Sequence, residues 1–372
     1  MLMPQHVTMS NYLRPPALKP GDQVGIIAPS FPSAVWFPRR LAVSLDALRT
    51  QLSVQPVLAE HVYKAQTYVS GPINERAIEL QKFLESPSIS AVFTTLGGFN
   101  SNELLPYLDF QTLKNKPKIF VGYSDTTLLQ LALTSTCRWV TFSGPALLPQ
   151  FGEYPEAQPF TVNNLKAILM GDCSDMDLLD APQRTHEFLD WSADEAYSRA
   201  RQMQFNPGRQ VWRKGQARAP LFGGNIETIN FLIGTPWLQW PDEFILFVEA
   251  TEAEATLPRI QRALVHLKQC GVFERVRGFL FGQCPDACQT AGQTLEEMVL
   301  QVLQEYEFPI VAELSFGHSD PMLTLPNGCM ANIQADQDQA RVTLLESAVD
   351  LSVANAAPCA GPAAALEKAV PI

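Results

Sequence analysis

Lys-Ile-Phe-Val-Gly-Tyr-Ser-Asp (118–125) runs without a break into Thr-Thr-Leu-Leu-Gln-Leu-Ala-Leu (126–133), and this junction decides the fold. Residues 118–122 are apolar without alternation, the pattern of a parallel strand covered on both faces. The strand stops at polar Ser124, and a helical stretch starts at once. Such a turn lifts a side chain out of the sheet. The new helix aims free N–H groups and its positive dipole end at the same spot.

Outward from this junction, the same alternation recurs. Short apolar runs at 23–28, 53–58 and 91–95 are separated by helical patterns at 38–51, 73–86 and 102–114. Strands and helices of these lengths predict βα units on a parallel sheet. Between 151 and 218 the period breaks: Pro155, Pro159, Pro182 and Pro207, two tryptophans and five arginines between 184 and 213 leave room for one helix near 161–170. Regularity returns with 219–225, a helix at 226–234, a strand at 244–249, a helix at 257–269 and a strand at 278–282. A helix at 293–306, a strand at 309–312 and a strand pair at 329–346 follow.

The expected fold class is therefore α/β in two lobes. A Rossmann- or flavodoxin-like N-terminal domain would span 18–150 after an extension at 1–17. An irregular insert would span 151–218 and a smaller C-terminal α/β domain 219–347. The Ala- and Pro-rich segment 348–372 lacks large apolar residues to offset ordering entropy and reads as a flexible tail.

A net charge of −11 leaves no excess of Lys and Arg to neutralise phosphates, which argues against nucleic-acid and anionic-membrane partners. No run approaches the roughly 20 apolar residues of a membrane span, and Met-Leu-Met-Pro-Gln-His at the start has no signal-peptide pattern. Seven cysteines, mostly inside apolar runs, suggest reduced thiols. A cytoplasmic protein is the expectation. Cys284 and Cys288 have no second ligand pair at zinc spacing, so neither a metal nor a cofactor is expected.

Three polar residues at strand or loop ends carry the chemistry. Ser124 fits a nucleophile and a helix cap equally; Asp125 could take the capping role and free the hydroxyl. Its surroundings, Gly-Tyr-Ser-Asp-Thr, lack the second glycine of the α/β-hydrolase elbow. His318, in Ser-Phe-Gly-His-Ser-Asp-Pro, occupies a loop suited to projecting an imidazole, though a lone loop histidine is more often a bystander. Glu249 ends an apolar strand, where α/β proteins place functional groups; Glu252 and Glu254 after it read as solvated acids. In a serine hydrolase, Glu249 would orient His318, which would take the Ser124 proton. The turn at 95–102 would supply an oxyanion hole from the N–H of Gly98 with that of Asp125, or else a tight turn capped by Asn102. A non-catalytic small-molecule binder remains the alternative of another class.

Six segments in order resemble the family of LD-carboxypeptidases and microcin C self-immunity serine peptidases. They are 18–30, 97–109, 121–127, Gly-Gly-Asn at 223–225, Leu-Phe-Val-Glu at 246–249 and 316–328. The resemblance covers about 18–345 and implies Ser124 as nucleophile, His318 as general base and Glu249 as its orienting acid. It also implies an active site between the two lobes, a homodimer, and a small peptide or aminoacyl-nucleotide as substrate. The long 151–218 segment and Gly-Phe-Asn-Ser-Asn look more like the microcin-immunity branch. By that likeness Trp191, in Phe-Leu-Asp-Trp, would stack on a base, or else anchor its long loop to the core, and Phe99, Asn100 and Asn225 are further substrate-contact candidates. Release of terminal D-Ala from a murein tetrapeptide is the alternative within the family. Phe99 stands where tyrosine is usual, and Ala250-Thr251 after the acid is a further departure.

Overall fold

The computed structural model describes residues 10–251, 256–284, 292–337 and 339–352. In chain order the first lobe runs β1 (Gln23–Ile27), α1 (Pro38–Gln51), β2 (Gln55–Leu58), α2 (Ile73–Glu85), β3 (Ile89–Thr94), β4 (Ile119–Gly122), α3 (Thr127–Cys137) and β5 (Thr141–Ser143). After α4 (Pro159–Met170) come β6 (Gln210–Arg213), β7 (Gly215–Asn225), α5 (Ile226–Leu232), β8 (Phe244–Glu249), α6 (Leu257–Gln269), β9 (Val276–Gly282), α7 (Leu295–Val302) and β10 (Ile310–Leu314). Three strands finish the chain: β11 (Leu325–Asn327), β12 (Met330–Ala335) and β13 (Ala340–Leu344).

The first sheet has the order β11-β5-β4-β3-β1-β2, parallel from β5 to β2. The second has the order β13-β12-β7-β8-β9-β10-β6, with a parallel centre from β7 to β10. The composition explains both centres. Every residue of β4 and of β8 is buried, as strands covered on both faces require. The chain thus has the two-lobed α/β fold, with a parallel-sheet N-terminal domain.

The lobes are stitched rather than merely tethered. β11, from the C-terminal third, pairs antiparallel with β5 at the edge of the first sheet. Asn327 Oδ1 then accepts from the Gly223 N–H at 2.8 Å, and Gly328 N–H donates to Leu221 O at 2.7 Å. α3 lies at this seam: all its residues but Thr136 are buried, so its sequence is apolar nearly all round.

Several expectations need correction. The helix expected over 102–114 is a 3₁₀ segment, Ser101–Tyr107, containing Pro106, then a short helix, Phe110–Leu113, capped by Asp109. Part of the segment read as irregular, Gln210–Arg213, pairs antiparallel with β10 and extends the second sheet. Residues 348–352, read as the start of a tail, pack on the body: Ala348 and Val349 are buried, and Asp350 exchanges backbone bonds with Pro15 and Ala17. Residues 353–372 lie outside the described residues. Cys137, Cys173, Cys270 and Cys329 are free, but Cys284 is disulfide-bonded, against the reading of reduced thiols; Cys288 and Cys359 lie outside the described residues. Among the described residues no helix is long and apolar enough to cross a membrane.

Candidate active site

Ser124 follows the buried end of β4 and opens a 3₁₀ turn that leads into α3. Its φ is +63°, a left-handed conformation that a serine adopts only where its surroundings enforce it. The turn is crowded: a Cβ on Gly122 would meet the hydroxyls of Thr94 and Thr126. Among the described residues no side chain caps this turn or α3.

Asp125 does not serve as that cap. Its Oδ2 reaches sideways, accepting from Ser101 Oγ at 2.7 Å, Ser101 N–H at 3.0 Å and Asn100 N–H at 3.2 Å. Burial pushes this carboxyl above its ordinary range, against the pull of those donors. Ser30 completes the arrangement, its Oγ accepting from the N–H groups of Phe99 and Asn100, both at 2.9 Å. The glycine turn is thereby pressed against the serine. A Cβ on Gly97 would stand 3.1 Å from Ser124 Oγ and 3.2 Å from the Asp125 nitrogen. Gly98 has a φ of +147°, and a Cβ there would collide with Ser30. The 3₁₀ segment begins at Ser101 after Asn100, so Asn102 is not the cap expected of it.

Glu249 ends β8 and is 1% exposed. Its Oε2 lies 2.6 Å from His318 Nδ1, and its Oε1 has no hydrogen-bond partner among the described residues. Gly317 permits this approach, since a Cβ there would meet the Glu249 side chain at 2.6 Å. The imidazole also packs on the ring of Tyr123, 4.8 Å between centroids. Tyr123 immediately precedes Ser124, so the histidine loop and the serine turn are brought to one place. Asn225 stands opposite Glu249 in the β7–β8 register. Its N–H donates to Thr127 Oγ1 at 3.1 Å, and its Oδ1 caps α5 by accepting from Thr228 N–H at 2.9 Å. Its Nδ2 has no partner among the described residues.

A cavity of about 440 Å³ opens beside these groups, its wall including Leu96, Tyr123, His318, Phe37, Phe188 and Trp191. Trp191 is half-buried; it meets Phe37 edge-on at 5.3 Å and lies 4.8 Å from the Arg40 guanidinium. Packing against the core and facing the cavity are therefore both true of it. Phe99 is 80% exposed and Asn100 half-buried; neither lines the cavity. Glu252 and Glu254 lie outside the described residues.

Sequence reasoning missed a buried ionic group in the same wall. Glu153 binds Arg40 at 2.5 Å and Arg201 at 2.7 Å, and Arg201 also binds Asp320 at 2.8 Å. Burial works against the charge on Arg201, but Asp320 and Glu153 more than offset it and raise its pKa. The concentration of arginines between 184 and 213 was the available signal; nothing local told which carboxylates, distant in the chain, would meet them.

Models of the LD-carboxypeptidase N-terminal and C-terminal domains match residues 24–144 and 218–333. A Vibrio cholerae protein named as a carboxypeptidase is 32% identical over 86% of this chain and 94% of its own. The microcin C7 self-immunity protein MccF of Escherichia coli is 29% identical over 87% of this chain and 93% of its own. A solved structure of MccF in complex with aspartyl sulfamoyl adenosine superposes with a TM-score of 0.82 at 28% identity, covering 91% of this chain and all of that one. The chain belongs to the LD-carboxypeptidase family and is a serine peptidase.

Proposed function

We propose that Ser124, His318 and Glu249 form the catalytic triad of this peptidase, and that its substrate is an aminoacyl- or peptidyl-nucleotide. The observation that carries the reading is the 2.6 Å contact between His318 Nδ1, in the cavity wall, and the buried Glu249 Oε2. A carboxylate there fixes Nδ1–H, leaves Nε2 as the base and stabilises the imidazolium. The lone Oε1 supports this role, since a buried carboxylate short of donors gains most when positive charge develops beside it.

Ser124 Oγ attacks the amide carbonyl while Nε2 takes its proton. The oxyanion is held by the N–H groups of Gly98 and Asp125, which the Ser30 and Asp125 side chains keep in register. His318 then protonates the leaving amine and activates the water that releases the acyl group. Support for a nucleotide leaving group comes from the aromatic wall of Phe37, Phe188 and Trp191, suited to a planar base, and from the ligand bound in MccF. No step calls on a metal or cofactor. A homodimer in the cytoplasm agrees with the resemblance, although the disulfide at Cys284 is unusual for that compartment.

The test is hydrolysis of aspartyl sulfamoyl adenosine and of a murein tetrapeptide by wild type and Ser124→Ala. Wild type turns over the nucleotide conjugate, and the variant loses on the order of 10⁶ in turnover. Release of D-Ala with the conjugate untouched would assign the chain to murein instead. Near-normal turnover by Ser124→Ala removes the triad itself.

A further inference from the structure

We infer that Arg201 is a positioning residue that sets His318 against the serine turn, acting through Asp320 rather than on substrate. This rests on His318 being the general base.

Arg201 comes from the 151–218 segment and uses all three nitrogens of its guanidinium. Nε donates to Glu153 Oε2 at 2.7 Å, Nη2 to Asp320 Oδ2 at 2.8 Å, and Nη1 to Glu187 O at 3.3 Å. Asp320 lies two residues after His318. It is buried, and its loop is gripped by backbone bonds in both directions with Thr185, at 2.7 and 3.3 Å. Glu153 is anchored in turn on Arg40, whose Nε and Nη2 bind the carbonyls of Leu148 and Pro149 at 2.9 Å each. Within this network, Arg201 is the cation that joins the histidine loop to the frame of the first lobe.

A second set of bonds ties the same loop to the ring beside the imidazole. Gln150 Nε2 donates to Asp320 Oδ1 and to Tyr123 Oη, both at 3.2 Å, and the Tyr123 ring lies against His318. Asp320 is thus linked through Gln150 to the tyrosine that packs on His318. Both acidic partners of Arg201 and its carbonyl partner are protein groups. Two of its nitrogens hold carboxylates, so its charge is balanced within the protein, which separates it from a guanidinium kept ready for a substrate anion.

Without Arg201, Asp320 keeps one side-chain donor among the described residues, the neutral Gln150, and a buried carboxylate in that state moves towards water. The loop carrying His318 moves with it. A lysine restores one charge but cannot span Glu153 and Asp320 together.

The experiment measures kcat and KM separately on aspartyl sulfamoyl adenosine for Arg201→Met, Arg201→Lys, Asp320→Asn and the Arg201→Met/Asp320→Asn double variant. Circular dichroism and a thermal melt accompany each. The expected result is a kcat loss of about 10²-fold for Arg201→Met, the scale of a misplaced catalytic group, with KM little changed. Arg201→Lys lies between it and wild type. Asp320→Asn resembles Arg201→Met, and the double variant is no worse than the worse single, because both break one link. A raised KM at unchanged kcat would make Arg201 a substrate contact and overturn the inference. Losses that multiply in the double variant would also overturn it. Should Arg201→Met fail to fold, Arg201→Lys and Asp320→Asn still separate a fall in kcat from a rise in KM, with the same consequences. His318→Ala is the control: if it keeps turnover, the triad is wrong; if it is dead while Arg201→Met keeps its kcat, only this inference fails.

Discussion

The ring of Tyr123 and the imidazole of His318 meet at 4.8 Å between centroids, tilted by 59°, although the two residues are far apart in the chain. Burial pushes the Tyr123 phenol well above its usual range, so the ring packs as a neutral wall. With Tyr123 on its face and Glu249 on Nδ1, the imidazole has little freedom to turn. Glu249→Gln keeps the side chain's shape and removes its charge. By analogy with neutral substitution of the acid in serine-protease triads, kcat is expected to fall on the order of 10⁴-fold. Steady-state kinetics with an unchanged melting temperature would check this; a loss below about tenfold would mean the carboxylate does not assist the histidine.

Gly98→Ala tests the oxyanion turn. At a φ of +147°, and with a Cβ that would run into Ser30 Oγ, any side chain must displace the turn. One misplaced oxyanion donor costs about 10²–10³ in kcat. The same substitution at Gly208, which has a φ of +84° but open space around it, controls for backbone strain alone and should leave kcat unchanged.

The two parallel centres and the ends that carry Ser124 and Glu249 were legible because uninterrupted apolar runs such as 119–122 and 244–248 have few other uses. What the sequence hid depends on partners distant in the chain. Asp125 looks like a local cap because Asp commonly is one; its partners are the backbone and hydroxyl of Ser101. Gln210–Arg213 is four residues long and pairs only at a sheet edge, too short for alternation to register. The 102–114 pattern was helical in its apolar spacing, but Pro106 cannot donate within an α-helix. Arg201 sat in a stretch without period, and its meaning lies in Glu153 and Asp320.

Asn225→Asp separates two duties of one side chain. Its Oδ1 caps α5, and aspartate caps equally well. The Nδ2, without a protein partner among the described residues and taken here as the donor to substrate, is lost, and a second carboxylate is set beside Glu249 in the strand register. The melting temperature should stay close to wild type while kcat/KM drops by about tenfold or more, the scale of one lost hydrogen bond. Asn225→Ala should in addition lose about 1 kcal/mol of stability from the missing cap, read from urea unfolding. Equal stability losses in both variants would count against the capping argument.

Trp191→Ala tests the nucleotide reading. Stacking of a base on an aromatic side chain contributes about 1–3 kcal/mol. KM for aspartyl sulfamoyl adenosine should therefore rise by roughly one to two orders of magnitude, with any murein tetrapeptide turnover unaffected. A parallel rise for both substrates would indicate that Trp191 only anchors its loop on Phe37 and Arg40.

His61 provides a pH dependence outside the active site. It is buried beneath the end of β1, where its Nε2 accepts the Ala28 N–H at 3.1 Å and its Nδ1 faces the Glu79 carboxylate. Burial is the main cause of a pKa below the ordinary 6.5, only partly countered by Glu79. The folded chain thus holds the ring neutral, while the unfolded chain takes up a proton as pH falls through 6.5. Stability rises with pH wherever the unfolded state binds more protons. This contribution is intact above 6.5 and is lost progressively below it. Glu79 also has a depressed pKa, but its loss begins only below its ordinary 4.5, so the two windows separate. The urea midpoint should decline between about pH 7 and 5, and His61→Gln, whose amide oxygen can still accept from Ala28, should flatten that decline. An unchanged slope in His61→Gln would place the acid sensitivity on another group.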